Sequence, residues 1–172
     1  WQDYINRFWE PDASKDTLLF IPCSFRKPYF SSQLHKAIFS VVNALENKDR
    51  LQVCTISSPG VIPYEFVNYY PFNRYDWPEW EETPEIKKKY TEVTQKRIEA
   101  FLEAHAGSRK KIYCYFRTDS ESYIALKLAC KILGIELISC LNDETYQKIK
   151  EEKNPLSLPQ ALEDLKSTLS AA

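Results

Sequence analysis

The chain has 172 residues, 44% apolar and 14% aromatic, enough for one domain with a full core and too apolar for a disordered segment. Its formal charge is −1, which excludes a domain that grips nucleic acid by bulk positive charge alone. No apolar run approaches the roughly 20 residues that span a bilayer, and no basic-then-apolar leader opens the chain, so a cytoplasmic protein without a membrane partner is expected. The chain starts at Trp1 and holds no methionine, so residues 1–172 read as one domain excised from, or partnered with, a longer protein.

Trp1, Tyr4, Ile5, Phe8 and Trp9 recur at helical spacing and predict a short helix docked on the core. The apolar run from Thr17 to Ile21 reads as a buried strand, followed by a helix carrying Leu34, Ile38, Val41, Val42 and Leu45. Ser31 or Ser32 can cap that helix, since a hydroxyl there satisfies an orphan amide of the first turn. Leu51 to Ser57 is a second buried strand. From Pro59 to Pro84 the chain is crowded with Pro, Tyr, Trp and Phe without clean periodicity, as in a functional lid.

Thr83-Pro84 opens a long helix, with proline at its preferred first position and Tyr90 on the apolar face. Lys111 to Phe116 is a third strand, and Asp119 or Ser120 caps a helix that Gly134 ends. Ile135 to Leu141 is a fourth strand, and helices from Asp143 to Glu152 and from Pro159 complete the chain. Strands alternating with helices predict a three-layer α/β/α domain with a mainly parallel sheet of about four strands, since right-handed crossovers place helices on both faces. With the first strand central the order is 2-1-3-4, and the loops after Cys23, Ser57 and Phe116 converge on one cleft. Five cysteines and two histidines lack zinc-ligand spacing, so no metal or other cofactor is expected.

The stretch Pro22-Cys23-Ser24-Phe25-Arg26-Lys27-Pro28-Tyr29-Phe30-Ser31-Ser32-Gln33-Leu34-His35 puts a thiol, two cations, a phenol, hydroxyls and an imidazole on one strand-to-helix connection. Read as Pro-Cys, three residues, Lys-Pro-Tyr, two residues, Ser, two residues, His, it resembles the signature of archaeosine synthases. These are archaeal tRNA-modifying enzymes related to tRNA-guanine transglycosylases. A second block, Ile56-Ser57-Ser58-Pro59-Gly60-Val61-Ile62-Pro63-Tyr64-Glu65 with Tyr70-Pro71 and Tyr75-Asp76, is similar to the same family. Two departures stand out: the family commonly has Leu-Gly after Ser-Pro and a basic residue before the Glu, whereas here Gly60 follows Pro59 and Tyr64 precedes Glu65.

The resemblance implies a uracil-DNA-glycosylase-like sheet order and a tRNA substrate carrying a cyano-deazaguanine. It also implies a small-molecule amine donor, lysine, added across the nitrile to give an amidine. Cys23, His35 and Asp76 are the expected catalytic residues; Lys27, Tyr29, Ser32, Ser57, Ser58 and Glu65 are the expected substrate contacts. Cys23 is a nucleophile whose thiolate Arg26, Lys27, His35 and a helix N-terminus could favour, or a small hydrophobe closing its strand. His35, one position past Leu34, is expected to point partly away from the core, for proton transfer or an anion contact. Glu65 and Asp76 are proton acceptors for an incoming amine or solvated loop acids. With so little positive charge, other domains or subunits are expected to supply RNA affinity. The competing reading is a non-catalytic nucleobase- or tRNA-binding module of a tRNA-modifying assembly.

Overall fold

A computed structural model describes residues 1–74, 82–107, 109 and 111–172. Five strands form one sheet: β1 (Thr17–Pro22), β2 (Leu51–Ser57), β3 (Gly60–Pro63), β4 (Lys111–Cys114) and β5 (Glu136–Ser139). Their spatial order is β3-β2-β1-β4-β5. β1 runs parallel to β2 with Thr17 opposite Leu51, and parallel to β4 with Leu19 opposite Tyr113; β4 runs parallel to β5. The four expected strands therefore lie side by side in the expected sequence. The expected count of about four misses β3, a short antiparallel edge strand hairpinned onto β2.

Residues Thr17 to Ile21 of β1 are all buried while their side chains alternate between faces, as a sheet covered on both faces requires. Leu18 and Phe20 face one layer, built from α1 (Gln2–Phe8), α3 (Pro84–His105) and α4 (Glu121–Leu133) through Ile98, Phe101 and Leu126. Leu19 and Ile21 face the other, built from α2 (Gln33–Val42), α5 (Asp143–Ile149) and α6 (Pro159–Ser170) through Ile38, Tyr146 and Leu165. Each fully buried Leu, Ile or Phe contributes about 1.5–3 kcal/mol relative to exposure, so β1 anchors both layers.

The helix ends follow local chemistry. Ser32, Thr83 and Ser120 cap α2, α3 and α4 by accepting from the backbone amides of His35, Ile86 and Tyr123. Gly134 closes α4 in the left-handed region at φ 65°. At the β2–β3 turn Gly60 has φ 131°, and a Cβ there would collide with the Gln2 side chain, which accepts a 2.6 Å bond from the Val61 amide.

The first helix departs from expectation. Ile5 is buried, but Trp1, Tyr4 and Phe8 are 63, 59 and 68% exposed, because α1 is only seven residues long and lays a single turn-face on α3 and β3. Trp9, just beyond it, packs on Phe101 and His105. Among the described residues no helix is long and apolar enough to cross a membrane.

A candidate active-site cleft at the carboxyl end of the sheet

β1 ends at Pro22, and the Cys23 amide continues the ladder by donating to the Ile56 carbonyl at 3.2 Å. That bond places the thiol at the carboxyl edge between β2 and β4, where the chain switches sides of β1 and open α/β sheets bind ligands. A cleft of about 470 Å³ opens there, within the usual range for ligand pockets. Cys23, Ser24 and Lys27 line it from the β1–α2 loop, and Ser57 and Ser58 from the β2–β3 turn. The far wall is built by Glu82, Lys87 and Tyr90 around the start of α3 and by residues 116–117 and 119–122 after β4.

The β1–α2 loop is held from inside. The Ser24 hydroxyl donates to Ser32 Oγ at 2.7 Å, and Lys27 Nζ donates to the Ser24 carbonyl at 3.2 Å while lying 5.5 Å from the Tyr29 ring centroid. Tyr29 is fully buried and donates to Ser57 Oγ at 3.2 Å, tying this loop to the β2–β3 turn. Burial raises the Tyr29 pKa, with the Cys23 charge as the next influence. Arg97 of α3 donates to the Ser58 carbonyl at 2.6 Å and fixes the turn from the other layer.

His35 is placed differently from expectation. It is 1% exposed and is not among the residues lining the cleft, because the short turn at Tyr29–Ser31 and the Tyr64 ring roof the first turn of α2. Nε2 lies 2.9 Å from the Pro22 carbonyl, an acceptor, so Nε2 carries the proton and Nδ1 accepts from the Tyr64 hydroxyl at 3.1 Å. Burial pushes its pKa down to about 4, against the Pro22 bond and with help from the Lys27 charge. At neutral pH the ring is uncharged and lends no positive charge to Cys23.

Glu65 also lies elsewhere. Its two oxygens accept from Trp9 Nε1 at 2.8 Å and from Gln52 Nε2 at 3.2 Å. Gln52 sits at the start of β2, five residues before Ser57, which at about 3.3 Å per residue puts Glu65 at the opposite end of the sheet. Ser32 serves as the α2 cap and is 3% exposed, so it supports the loop through Ser24. Asp76, with Tyr75, Trp77 and Trp80, lies outside the described residues.

The far wall was barely legible in the sequence. Arg117 and Asp119 pair at 3.3 Å and share the Tyr146 hydroxyl, which donates to Asp119 at 2.8 Å. Burial pushes the Asp119 carboxyl up, but bonds from Tyr146 and Arg117 outweigh it and hold it below its usual value. Lys87 lies 3.7 Å from Glu82 and 3.5 Å from Glu121. Tyr90 and Ser122 hydroxyls meet at 3.1 Å inside the cleft. Among the described residues no group of three or more His, Cys, Asp or Glu side chains converges to hold a metal.

Fold and cleft together define a mainly parallel three-layer α/β domain that presents a cysteine at the switch point of its sheet. The chain belongs to the family described as a domain of unknown function (DUF5591), whose pattern matches residues 1–166, and it is related to archaeosine synthases. It is 35% identical over 95 residues to archaeosine synthase subunit alpha of Thermoplasma acidophilum, covering 52% of this chain and 18% of that protein. It is 34% identical over 98 residues to archaeosine synthase of Haloferax volcanii, covering 52% of this chain and 15% of that one. The chain thus matches less than a fifth of the length of these relatives. The fold is shared with the crystal structure of AF0587, a protein of unknown function, at a TM-score of 0.58 and 20% identity over 92% of this chain and 46% of that one.

Proposed function

We propose that the cleft takes the nitrile-bearing base of a tRNA and that the domain serves archaeosine biosynthesis, adding an amine, lysine, across a cyano-deazaguanine nitrile. The observation that carries this reading is the shared cleft: Cys23, Lys27, Ser57 and Ser58, all drawn from the two family-like blocks, line one cavity. Relatedness to archaeosine synthases supports the chemistry, and the uracil-DNA-glycosylase-like sheet order belongs to the same proposal.

In the proposed reaction the Cys23 sulfur adds to the nitrile carbon and gives a thioimidate, which the amine displaces to form the amidine. Tyr29, Ser32 and His35 hold the loop that presents the thiol, and Lys27 stands at the cleft edge beside it. Asp76 is the proposed proton acceptor for the incoming ammonium. tRNA affinity comes largely from other domains or subunits, since this chain is slightly acidic. The site of action is the cytoplasm.

Net charge specifically favours a second reading, a nucleobase-binding module without turnover. One experiment separates the two: incubate the chain with nitrile-bearing tRNA and lysine, digest the tRNA and analyse the nucleosides. Lysine-modified base is the expected product. Tight binding with the nitrile unchanged overturns the synthase in favour of the module, and release of free base overturns both.

A further inference from the structure

Two tyrosine–serine pairs lie near Cys23, whose charge acts on both phenols. In one, Tyr29 with Ser57, the phenol is sealed: Tyr29 has no exposure and donates to Ser57. The other, Tyr90 with Ser122, is open: both side chains line the cleft. Ser122 Oγ lies 3.1 Å from the Tyr90 oxygen, and either hydroxyl can be the donor. With Ser122 as the donor, the Tyr90 oxygen accepts and the phenol proton is left for a partner in the cleft. Burial, then the Cys23 charge, raises the Tyr90 pKa to about 12, so the proton is present at neutral pH.

Several other proton-bearing groups near the cleft already hold partners. Both nitrogens of His35 are bonded beneath the loop. Lys87 lies between two carboxylates, and Arg117 is paired with Asp119 and Tyr146. Addition of sulfur to a nitrile places charge on nitrogen, and a neutral hydroxyl already fixed in a half-buried cleft stabilises that charge with little reorganisation.

We propose that the Tyr90 hydroxyl, set by Ser122, donates the proton to the nitrile nitrogen as the Cys23 sulfur bonds to the nitrile carbon. This rests on the covalent reading above. The S–C bond forms as one π bond of the nitrile breaks. Tyr90 gives its proton to nitrogen and recovers the thiol proton, so thiol and nitrile become a thioimidate with nothing oxidised or reduced.

The test follows adduct formation on Cys23 by intact-protein mass after adding the free cyano-deazaguanine base, in the native chain, Tyr90→Phe and Ser122→Ala. In parallel, Cys23 is alkylated with iodoacetamide, a reaction that needs no proton on nitrogen. Tyr90→Phe is expected to slow the nitrile adduct about 10²-fold while alkylation stays within about twofold; Ser122→Ala slows it several-fold. An adduct that forms in Tyr90→Phe at the native rate overturns the assignment of Tyr90 and leaves the covalent reading standing. Parallel loss of alkylation also overturns it, since the phenol then acts on the thiol. No adduct in the native chain overturns the covalent reading itself and this donor with it.

Discussion

Two loops leave adjacent parallel strands at the same end of the sheet and flank the same cleft, yet their polar groups are treated in opposite ways. After β1, Tyr29, Ser32 and His35 are 0, 3 and 1% exposed, each bonded inward. After β4, Arg117 and Asp119 are paired with side chains 49 and 59% exposed. Buried polar groups are costly unless matched, so the first loop is locked in one geometry. Exposed pairs in water contribute little, so the second can rearrange around a ligand. The difference identifies the β1–α2 loop as a fixed mount for Cys23 and the β4–α4 loop as an adaptable rim.

The largest expected effect breaks the mount at its tip. Cys23→Ala removes the proposed nucleophile without disturbing the backbone bond to Ile56. Modified nucleoside is expected to fall on the order of 10³-fold or more, with thermal stability nearly unchanged. A variant retaining more than a tenth of native turnover would show that the thiol only fills space.

The second removes the mount's support. His35→Leu leaves the Pro22 carbonyl and the Tyr64 hydroxyl without their partner. Orphaned buried groups each cost about 1–3 kcal/mol, so chemical denaturation should show a loss of about 3 kcal/mol. The matching Arg117→Ala on the rim should cost under about 1 kcal/mol. Equal losses in the two variants would erase the contrast between the loops.

Acid offers a third, graded probe of the same imidazole. The folded His35 pKa is depressed to about 4 from an ordinary 6.5, so the unfolded chain binds its proton first as pH falls. The stabilisation is complete above pH 6.5 and is lost progressively down to about pH 4. At ~1.4 kcal/mol per unit the full loss is about 3.5 kcal/mol. His105, also depressed by burial, adds in the same direction. Denaturation midpoints measured from pH 7 to 4 should fall in the native chain, and His35→Asn should flatten the slope. An unchanged slope would place the imidazole in water.

Much of the scaffold was legible because its signals are local. The second strand matches its predicted bounds, Leu51 to Ser57, and Ser32, Thr83-Pro84, Ser120 and Gly134 mark helix ends through cap and backbone chemistry that needs no tertiary information. β3 was missed because its four residues, Gly60–Pro63, give too short an alternation to stand out from an aromatic-rich segment. That omission also explains the misplaced Glu65. An antiparallel strand carries the chain from the cleft back toward the start of β2, whereas a lid over the cleft would have kept Glu65 near Ser58. Tyr90 was hidden for another reason. Its spacing puts it on the apolar face of α3, and only the packing of α4 beside that face reveals its hydroxyl turned toward Ser122 and the cleft.

The smallest expected effect tests that correction. Glu65 holds Trp9 and Gln52 at the far end of the sheet, and Glu65→Gln keeps an oxygen for the Trp9 indole proton while removing the charge. Nucleoside formation should stay within about twofold of native, because the change neither touches the β1–α2 loop nor alters a group lining the cleft. Stability should fall by about 1–2 kcal/mol, because the Trp9 bond becomes neutral and the new amide nitrogen faces the Gln52 donor. Each arm rules on a different point. A collapse of activity with stability intact would return Glu65 to the cleft and require the β2–β3 hairpin to be rearranged in the working protein. A loss of stability alone would confirm that the family-like acid braces the edge strand, with the chemistry left to the opposite end of β2.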